Sequence, residues 1–151
     1  MTREEVIEVR QRLLDHRFQP ISVFNWDHPR IPKKYRGKRP SESEWQRTVG
    51  MPLYRDVAQN TGVLTGEVYP LDIDVEDPAI VTEIVAKAEG LFGKTIIRCR
   101  QNSPRCLLPY RIENGELRKL SIPLSCGKLE FLGHGQQFVG FGKHPSGADY
   151  E

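Results

Sequence analysis

Residues 68–92, "VYPLDIDVEDPAIVTEIVAKAEGLF", predict a buried strand that leads directly into an amphipathic helix. The strand is apolar except for Asp72 and Asp74, which are separated by one residue. Pro78 suits the first turn of the helix, because its missing N–H would have no helical partner there. The apolar stripe of the helix consists of Ile80, Ile84, Val85, Ala88 and Leu91.

Upstream of this stretch, the chain shows the patterns of two helices and two β segments. Thr2 and Glu5 have the spacing of a capping box, which indicates a helix start. The apolar positions of that helix are Val6, Val9, Leu13 and Leu14. "FQPISVF" (18–24) alternates as a strand does, "SESEWQRTV" (41–49) is a short helix candidate, and "TGVLTGEVYPLDID" (61–74) is rich in β formers.

Downstream of residue 92, the chain breaks into short β segments separated by turns. They span 94–100, 105–112, 117–124, 128–133 and 136–142. "ENGE" (113–116) carries an Asn-Gly pair, which is typical of a β-hairpin turn. Residues 1–151 are therefore predicted to form one α+β domain with a mostly antiparallel C-terminal sheet. Because the chain stops at "GADYE" (147–151) without a predicted terminal element, we expect a domain of a longer protein.

Composition narrows the class of protein. No apolar stretch approaches the roughly 20 residues that a membrane span needs, and the charged N-terminus does not resemble a signal peptide. Cys99, Cys106 and Cys126 are odd in number and lack CxxC spacing, which favours a reducing, cytoplasmic setting. A zinc site that adds His134 and His144 is rejected, because these residues lack the short paired spacing of structural zinc ligands.

The two aspartates of the central strand suggest metal chemistry. On a strand, residues i and i+2 project from the same face about 6.5–7 Å apart, so Asp72 and Asp74 share the face away from the core. Two carboxylates on one face repel unless cations lie between them, and a pair of divalent metals is the usual device for phosphoryl transfer. The alternatives are turn formation or pairing with Lys or Arg.

Glu130 is the candidate third carboxylate. It lies on another predicted strand, with apolar Leu129 and Phe131 on the opposite face. Nucleotidyl transferases hold two Mg²⁺ ions with an Asp-x-Asp on one strand and an acid on a neighbouring strand. The alternative role for Glu130 is a cross-strand ion pair with Lys128, Arg118 or Lys119.

Donors suited to a triphosphate cluster in two segments. "RCRQNSPR" (98–105) surrounds a predicted turn and supplies Arg98, Arg100, Asn102, Ser103 and Arg105. "KHPSG" (143–147) adds Lys143 and His144 on a tight turn. A solvated basic hairpin is the alternative for the first segment, and capping of its own turn is the alternative for His144.

The segment "HPRIPKKYRGKRP" (28–40) is basic and holds no acidic residue. Such a run attracts phosphates, and its prolines favour an extended arm over a helix. Its candidate nucleic-acid-binding residues are Lys33, Lys34, Arg36, Lys38 and Arg39. A solvated loop without a partner is the alternative.

Taken in order, several of these motifs resemble one known family. "GVLTG" (62–66), "LDID" (71–74) and "LEFLGHGQQFVGFGKHPSGADY" (129–150) are similar to the N-terminal domain of bifunctional DNA primase/polymerases, the prim-pol domain of phage and plasmid replication proteins. "FQPISVF" and "GKRPSESEWQ" (37–46) are similar to the upstream pattern of that family. The resemblance covers roughly residues 10–150 and places the chain in the archaeo-eukaryotic primase superfamily.

The resemblance implies a fold, a site and partners. The fold would be an RRM-like, mostly antiparallel sheet with flanking helices and a small N-terminal α/β unit. Asp72 and Asp74 match the first family motif and Glu130 the third, which together hold two Mg²⁺ or Mn²⁺ ions. Where the family usually has a Ser-x-His sequence, this chain has "NSPRCLL" (102–108), so Arg105 or Cys106 stands in that region; Arg105 could replace the histidine's phosphate contact, and Cys106 could not. The implied partners are a DNA template and primer, nucleoside triphosphates and a helicase domain or subunit, in a bacterial or phage-infected cell.

Three functions result as hypotheses. The first is template-directed nucleotidyl transfer, in which Arg100, Ser103, Arg105, Lys143 and His144 bind the nucleotide and the basic segment binds DNA; a fragment ending at residue 151 would extend primers weakly and not initiate them. The second is a catalytically silent nucleic-acid- or nucleotide-binding module of a replication initiator. The third is a metal-dependent nuclease, which needs the same carboxylates but no triphosphate clamp.

Overall fold

The computed structural model describes residues 1–47 and 53–151, and in them it shows an α+β fold with one large sheet. The two α-helices are α1 (Arg3–Asp15) and α2 (Pro78–Phe92). A single 3₁₀ turn spans Lys33–Tyr35. The strands are β1 (Pro20–Val23), β2 (Asn60–Leu64), β3 (Tyr69–Val75), β4 (Arg98–Arg100), β5 (Ser103–Tyr110), β6 (Leu120–Leu124), β7 (Gly127–Phe131), β8 (Gln137–Lys143) and β9 (Asp149–Tyr150).

The strands form one sheet in the order β1-β2-β8-β9-β4-β5-β3-β7-β6. Each pairing between these strands is antiparallel, which confirms the predicted α+β class and antiparallel sheet. The strand that carries Asp72 lies between β5 and β7, so its backbone is hydrogen-bonded on both sides. No helix in the described residues is long and apolar enough to span a bilayer.

Helix α1 begins at the predicted capping box. Thr2 Oγ1 accepts a hydrogen bond from the backbone N–H of Glu5, and a Glu5 carboxylate oxygen accepts one from the backbone N–H of Thr2. Val6 and Arg10 are its buried residues. The fully buried Arg10 donates to the Thr61 and Ser22 hydroxyls and to backbone carbonyls at Leu53, Ala58 and Asn60. This guanidinium therefore joins the helix to β1, β2 and the segment before β2.

Helix α2 has the predicted boundaries. The Asp77 side chain caps it by accepting from the backbone N–H groups of Ala79 and Ile80, and Pro78 occupies the first turn. Its buried residues Val81 and Ala88 pack against the apolar face of β3, which presents Leu71, Ile73 and Val75. Leu91 was predicted to belong to this stripe, but it is 77% exposed. In the last turn of the helix it is Phe92 that faces the sheet, with its ring centroid 5.4 Å from that of Tyr110 and 6.0 Å from that of Phe131.

Two predicted local structures are wrong. Residues 41–47 form bends and a turn where a helix was predicted, because their polar groups bond elsewhere in the fold; the remainder of that candidate lies outside the described residues. Ser41 N–H donates to the Ser22 carbonyl of β1, and Gln46 Nε2 donates to the Gly135 carbonyl at 2.6 Å. Asn114 and Gly115 do not close a hairpin, since β3 and β7 lie between β5 and β6.

Most of the predicted strand ends are shifted by up to three residues, and two departures are larger. Residues 94–97 precede β4 as irregular chain, with Ile96 67% exposed, although a strand over 94–100 was predicted. The last residues do form an element: β9 pairs with β4 through Arg100 and with β8 through Gly142 and Lys143. So short a strand leaves no periodic pattern in the sequence.

Candidate functional site

The alternation of β3 places its two aspartates on the face opposite α2. Leu71, Ile73 and Val75 are buried in the core, while Asp72 and Asp74 are partly buried on the other side. This division of the strand is as predicted from the sequence. It results from the two-residue period of a strand, whose apolar half packs against the helix.

The neighbouring strands place further charges on the aspartate face. In the register of β3 with β7, Asp72 lies directly opposite Glu130 and Asp74 opposite Lys128. Directly opposed residues have Cβ atoms about 5 Å apart and project from the same face. The predicted third carboxylate therefore belongs to the strand next to Asp72 and to the same face of the sheet.

A cleft of about 260 Å³ opens over this face. It collects side chains that are far apart in the sequence, from the basic segment, β3, β4, β5, β8 and the C-terminal turn and strand. Its charged and imidazole side chains are Lys38, Asp72, Asp74, Arg98, Arg100, Arg105 and His144. Its other lining residues are Leu107, Leu132, Gln137, Phe138, Val139 and Tyr150. Two carboxylates thus face four cationic side chains in one small cleft.

Asp72 is the carboxylate that the cleft leaves open. Among the described residues, no hydrogen bond or ion pair holds its side chain. Burial raises the pKa of Asp72, Arg98 opposes that rise, and the carboxylates of Asp74 and Glu130 add to it. A half-buried carboxylate that no hydrogen bond or ion pair holds is unfavourable for folding alone, and such groups cluster at functional sites.

Asp74 is held by a cation of the cleft wall. Arg105 Nη1 lies 2.7 Å from Asp74 Oδ1, and Arg105 Nη2 lies 2.6 Å from Glu76 Oε1. The guanidinium therefore bridges two carboxylates that lie two residues apart in the chain. Its Nε is buried and has no partner in the described part of the chain.

Glu130 is held by lysines. Its carboxylate lies 2.8 Å from Lys128 Nζ and 3.2 Å from Lys119 Nζ, and the hydrogen bond from Lys128 is the main cause that lowers the pKa of Glu130. It does not line the cleft. Within residues 1–47 and 53–151, no three His, Cys, Asp or Glu side chains are grouped closely enough to hold one metal ion. The structure therefore shows the ion pairing that was the alternative role for this residue, with Lys128 on the same strand as Glu130 and Lys119 immediately before β6.

His144 contacts Arg100 and its own turn. Arg100 Nη1 lies 2.8 Å from His144 Nε2, and the backbone nitrogen and Oγ of Ser146 lie 3.1 and 2.9 Å from His144 Nδ1, so an N–H donor faces each ring nitrogen. Burial and the cation of Arg100 lower the pKa of His144 to about 4. The neutral imidazole therefore contacts Arg100 in the cleft, and its Nε2 already lies against that guanidinium.

The remaining cations of the cleft are packed close together. Burial lowers the pKa of Lys38, and Arg100 lowers it further, while Asp72 and Asp74 act in the opposite direction. The Arg98 guanidinium lies over the Tyr150 ring, 4.9 Å from its centroid. Concentrated positive charge in a concave, half-buried site is suited to binding phosphate groups.

Several residues predicted for the site lie outside the cleft. Lys143 Nζ is paired with the Asp149 carboxylate at 2.8 Å, and Ser103 Oγ accepts from the Arg105 backbone N–H. In the basic segment, Lys38 lines the cleft, whereas the others do not: Lys33, Lys34, Arg36 and Arg39. Arg36 Nε bonds instead to the Ile31 carbonyl at 2.9 Å.

Six lining residues were not predicted as site residues from the sequence, among them Tyr150 and Phe138. Tyr150 belongs to β9, the strand without a sequence pattern, and it packs edge-on against His144. Phe138 alternates with Gln137 on β8 and has the sequence pattern of an ordinary core residue. For Arg98 the signal was present, since it lies two residues before Arg100 on the same strand.

A larger groove of about 880 Å³ lies between α1, residues 94–97 and β8. Apolar side chains from those elements make up most of its wall, including Leu13, Phe18, Ile96 and Phe141. Neither aspartate of β3 lines it. The carboxylates predicted from sequence to hold metal therefore line the smaller cleft and not this groove.

Asn60 at the start of β2 joins two edges of the charged cleft. Its Nδ2 donates to the Gly37 carbonyl at 3.0 Å and to the Lys143 carbonyl at 2.7 Å, and its Oδ1 accepts from Lys143 N–H at 3.0 Å. Gly37 precedes Lys38, and Lys143 precedes His144. One buried amide thus sets the spacing between the basic segment and the end of β8.

Replacing Asn60 with alanine should cost about 2 kcal/mol of stability, because it leaves the Lys143 N–H and two buried carbonyls without their partner. Urea unfolding followed by circular dichroism measures this loss. Asn114→Ala, in the exposed turn at 113–115, is the matched control and should change stability by less than about 0.5 kcal/mol. Equal stabilities of the two variants would contradict the role of Asn60.

Comparison with known proteins leaves the site to be interpreted from its geometry. No protein-family model matches the chain, and no curated protein matches it significantly.

Proposed function

We propose that the cleft binds a nucleoside triphosphate and that the chain is a template-directed nucleotidyl transferase of the DNA primase/polymerase type. The supporting observation is the convergence of Asp72 and Asp74 with Lys38, Arg100 and Arg105 in one cleft. These residues come from segments far apart in the chain. Each was predicted from sequence to bind metal, nucleotide or DNA. An RRM-like, primase-type fold is part of the same proposal. The α+β class and the antiparallel sheet are compatible with that fold.

Each group in the cleft has a role in this proposal. Arg100, which contacts His144, and Arg105 bind the phosphates of the incoming nucleotide. Lys38 lines the cleft, whereas the rest of the basic segment lies outside it. The basic segment binds template or primer phosphates, and Lys38 directs them towards Asp72. These phosphate contacts hold DNA without reading its sequence.

The carboxylates fit divalent metal in part. Asp72 is open, Asp74 is shared with Arg105, and Glu130 is held by two lysines, so Asp72 and Asp74 are the residues that would hold Mg²⁺ or Mn²⁺ first. Bound metal would supply charge neutralisation at the α-phosphate and activation of the 3′-hydroxyl. Glu130 could join as a ligand only after its carboxylate leaves Lys119 and Lys128.

A second candidate is a catalytically silent nucleotide- or nucleic-acid-binding module of a replication initiator. The ion pairs of Asp74 and Glu130 favour it, because two of the three carboxylates are neutralised by the chain's own cations. A metal-dependent nuclease is favoured less, since its chemistry has no use for so many cations around the carboxylates. In the leading proposal, a helicase domain or subunit is the expected partner.

Primer extension distinguishes these functions. The chain is incubated with a primed template, labelled nucleoside triphosphates and Mg²⁺ or Mn²⁺, beside the Asp72→Ala/Asp74→Ala variant. We expect the primer to lengthen with the wild-type chain and not with the variant. A primer that shortens would support the nuclease, and DNA binding that is equal in both proteins, without extension, would support the silent module.

A further inference from the structure

Arg105 holds Asp74 in an arrangement that other ligands can replace. Its guanidinium spans Asp74 and Glu76 with contacts of 2.7 and 2.6 Å, in the planar fork that suits two oxygen acceptors. The arginine side chain is 41% exposed and Glu76 is 62% exposed. Ion pairs with this much solvent exposure are weak, so Arg105 can leave Asp74 at little cost.

The contact with Arg105 makes the two aspartates of β3 unequal. Asp72 is open to the cleft, whereas Asp74 Oδ1 is covered by Arg105 Nη1. A divalent ion that uses both carboxylates competes with the guanidinium for Asp74, because a cation already lies against that oxygen. By itself, a free metal ion therefore meets one open carboxylate among the cations Arg98, Arg100 and Lys38, which repel it.

A triphosphate changes this balance. Its oxygens accept hydrogen bonds from a guanidinium as a carboxylate does, and Arg105 lines the cleft in which they would lie. Arg105 can thus exchange Asp74 for phosphate without leaving the cleft, while Glu76 keeps the other half of the fork at the cleft edge. Movement of Arg105 to phosphate uncovers Asp74.

We propose that Arg105 exchanges between Asp74 and the phosphates of the nucleotide, so that the cleft binds divalent metal weakly alone and tightly together with a triphosphate. This inference rests on the proposed function. It makes Arg105 a specificity-determining residue: the form of substrate that the site accepts is the metal–triphosphate complex. By linkage, metal and triphosphate each strengthen the binding of the other.

The test compares metal and nucleotide binding in two variants. Mn²⁺ is titrated into the full chain by calorimetry without nucleotide, and a non-hydrolysable nucleoside triphosphate is then titrated at saturating Mn²⁺. Arg105→Gln should bind Mn²⁺ alone about tenfold more tightly than wild type and the triphosphate about tenfold more weakly. Arg17→Gln, which removes the exposed pair with Glu67, is the matched control and should change neither affinity.

The opposite signs of the two changes make the result specific. A structural role for Arg105 would weaken both affinities. That outcome, or unchanged Mn²⁺ binding in Arg105→Gln, overturns the exchange but does not overturn nucleotidyl transfer. Failure of both wild type and variant to bind Mn²⁺ even with the triphosphate present overturns the proposed function and the exchange together. Thermal unfolding checks that the variant folds, and Arg105→Lys, which keeps the charge but lacks the fork, replaces it if Arg105→Gln shows no cooperative transition.

Discussion

Replacing Asp72 with asparagine is expected to abolish nucleotide incorporation and at the same time to stabilise the fold. The activity should fall at least about a thousandfold, because the open carboxylate of the cleft is the one available to hold metal at the reacting phosphate. The fold should gain stability, because the wild-type side chain is a half-buried anion whose pKa is raised by burial and by the neighbouring carboxylates of Asp74 and Glu130. Asparagine keeps the shape and removes the charge.

The gain in stability has a defined dependence on pH. Burial raises the pKa of Asp72 in the folded state above its unfolded value of about 3.9. Below the unfolded pKa the carboxyl is protonated in both states and does not lower the free energy of unfolding. As pH rises through the folded pKa, the charged carboxylate destabilises the fold. The Tm difference between Asp72→Asn and wild type should therefore be small near pH 4 and larger at pH 7, measured by calorimetry in EDTA. Asp15→Asn, on the exposed end of α1, is the control and should show neither effect. Active Asp72→Asn protein, or a lower Tm at pH 7, would contradict the assignment.

The largest loss of stability is expected from Arg10→Met. The buried guanidinium satisfies two hydroxyls and three backbone carbonyls around β1 and β2, with contacts between 2.8 and 3.0 Å. Methionine fills similar space but donates nothing, so these acceptors lose their partner in the core. We expect a loss of about 3–5 kcal/mol in the free energy of unfolding.

Urea unfolding of Arg10→Met beside Arg12→Met measures this loss. Arg12 lies on the same helix but is exposed, so its replacement should change stability by less than about 0.5 kcal/mol. Arg10→Lys should recover little, because one ammonium group cannot reach acceptors on both sides of the guanidinium plane. A loss below about 1 kcal/mol for Arg10→Met would mean that water or rearranged side chains satisfy the same carbonyls.

The elements that could be predicted from sequence are those with a full apolar period and a local end signal. Helix α2 has both, since Pro78 and Asp77 mark its start and Val81 and Ala88 recur towards the sheet. The two faces of β3 also result from alternation alone. In each case the information lies within a few residues of the element.

The predictions that failed depended on partners far away in the chain. Asn114 and Gly115 carry a hairpin signal, yet β5 pairs with β3 because that strand offers a longer apolar partner. The helix candidate at 41–49 has helical spacing, but Ser41 and Gln46 bond to β1 and to the turn at Gly135. Local patterns carry no information about which distant group competes for a hydrogen bond.

The site was predictable in its residue types and less so in its pairing. Asp72, Asp74, Arg100, Arg105 and His144 do meet in one cleft. Sequence could not show that Glu130 and Lys143 are each neutralised by a neighbour, because an ion pair depends on register and side-chain rotamer. Both of those residues therefore contribute to the structure around the cleft before they contribute to any ligand.

The position of β3 between β5 and β7 fixes the spacing of its two aspartates. Its aspartates are held by strands on both sides, so frayed or altered outer strands such as β1 and β6 leave their spacing intact. Of the cations, Lys38 lies in a loop, Arg98 and Arg100 lie on the short strand β4, and Arg105 lies near the start of β5. Loop positions tolerate substitutions and insertions. Substitutions in the surrounding loops can therefore change which phosphate compound the cleft binds, while the two aspartates on which the reaction would depend keep their spacing.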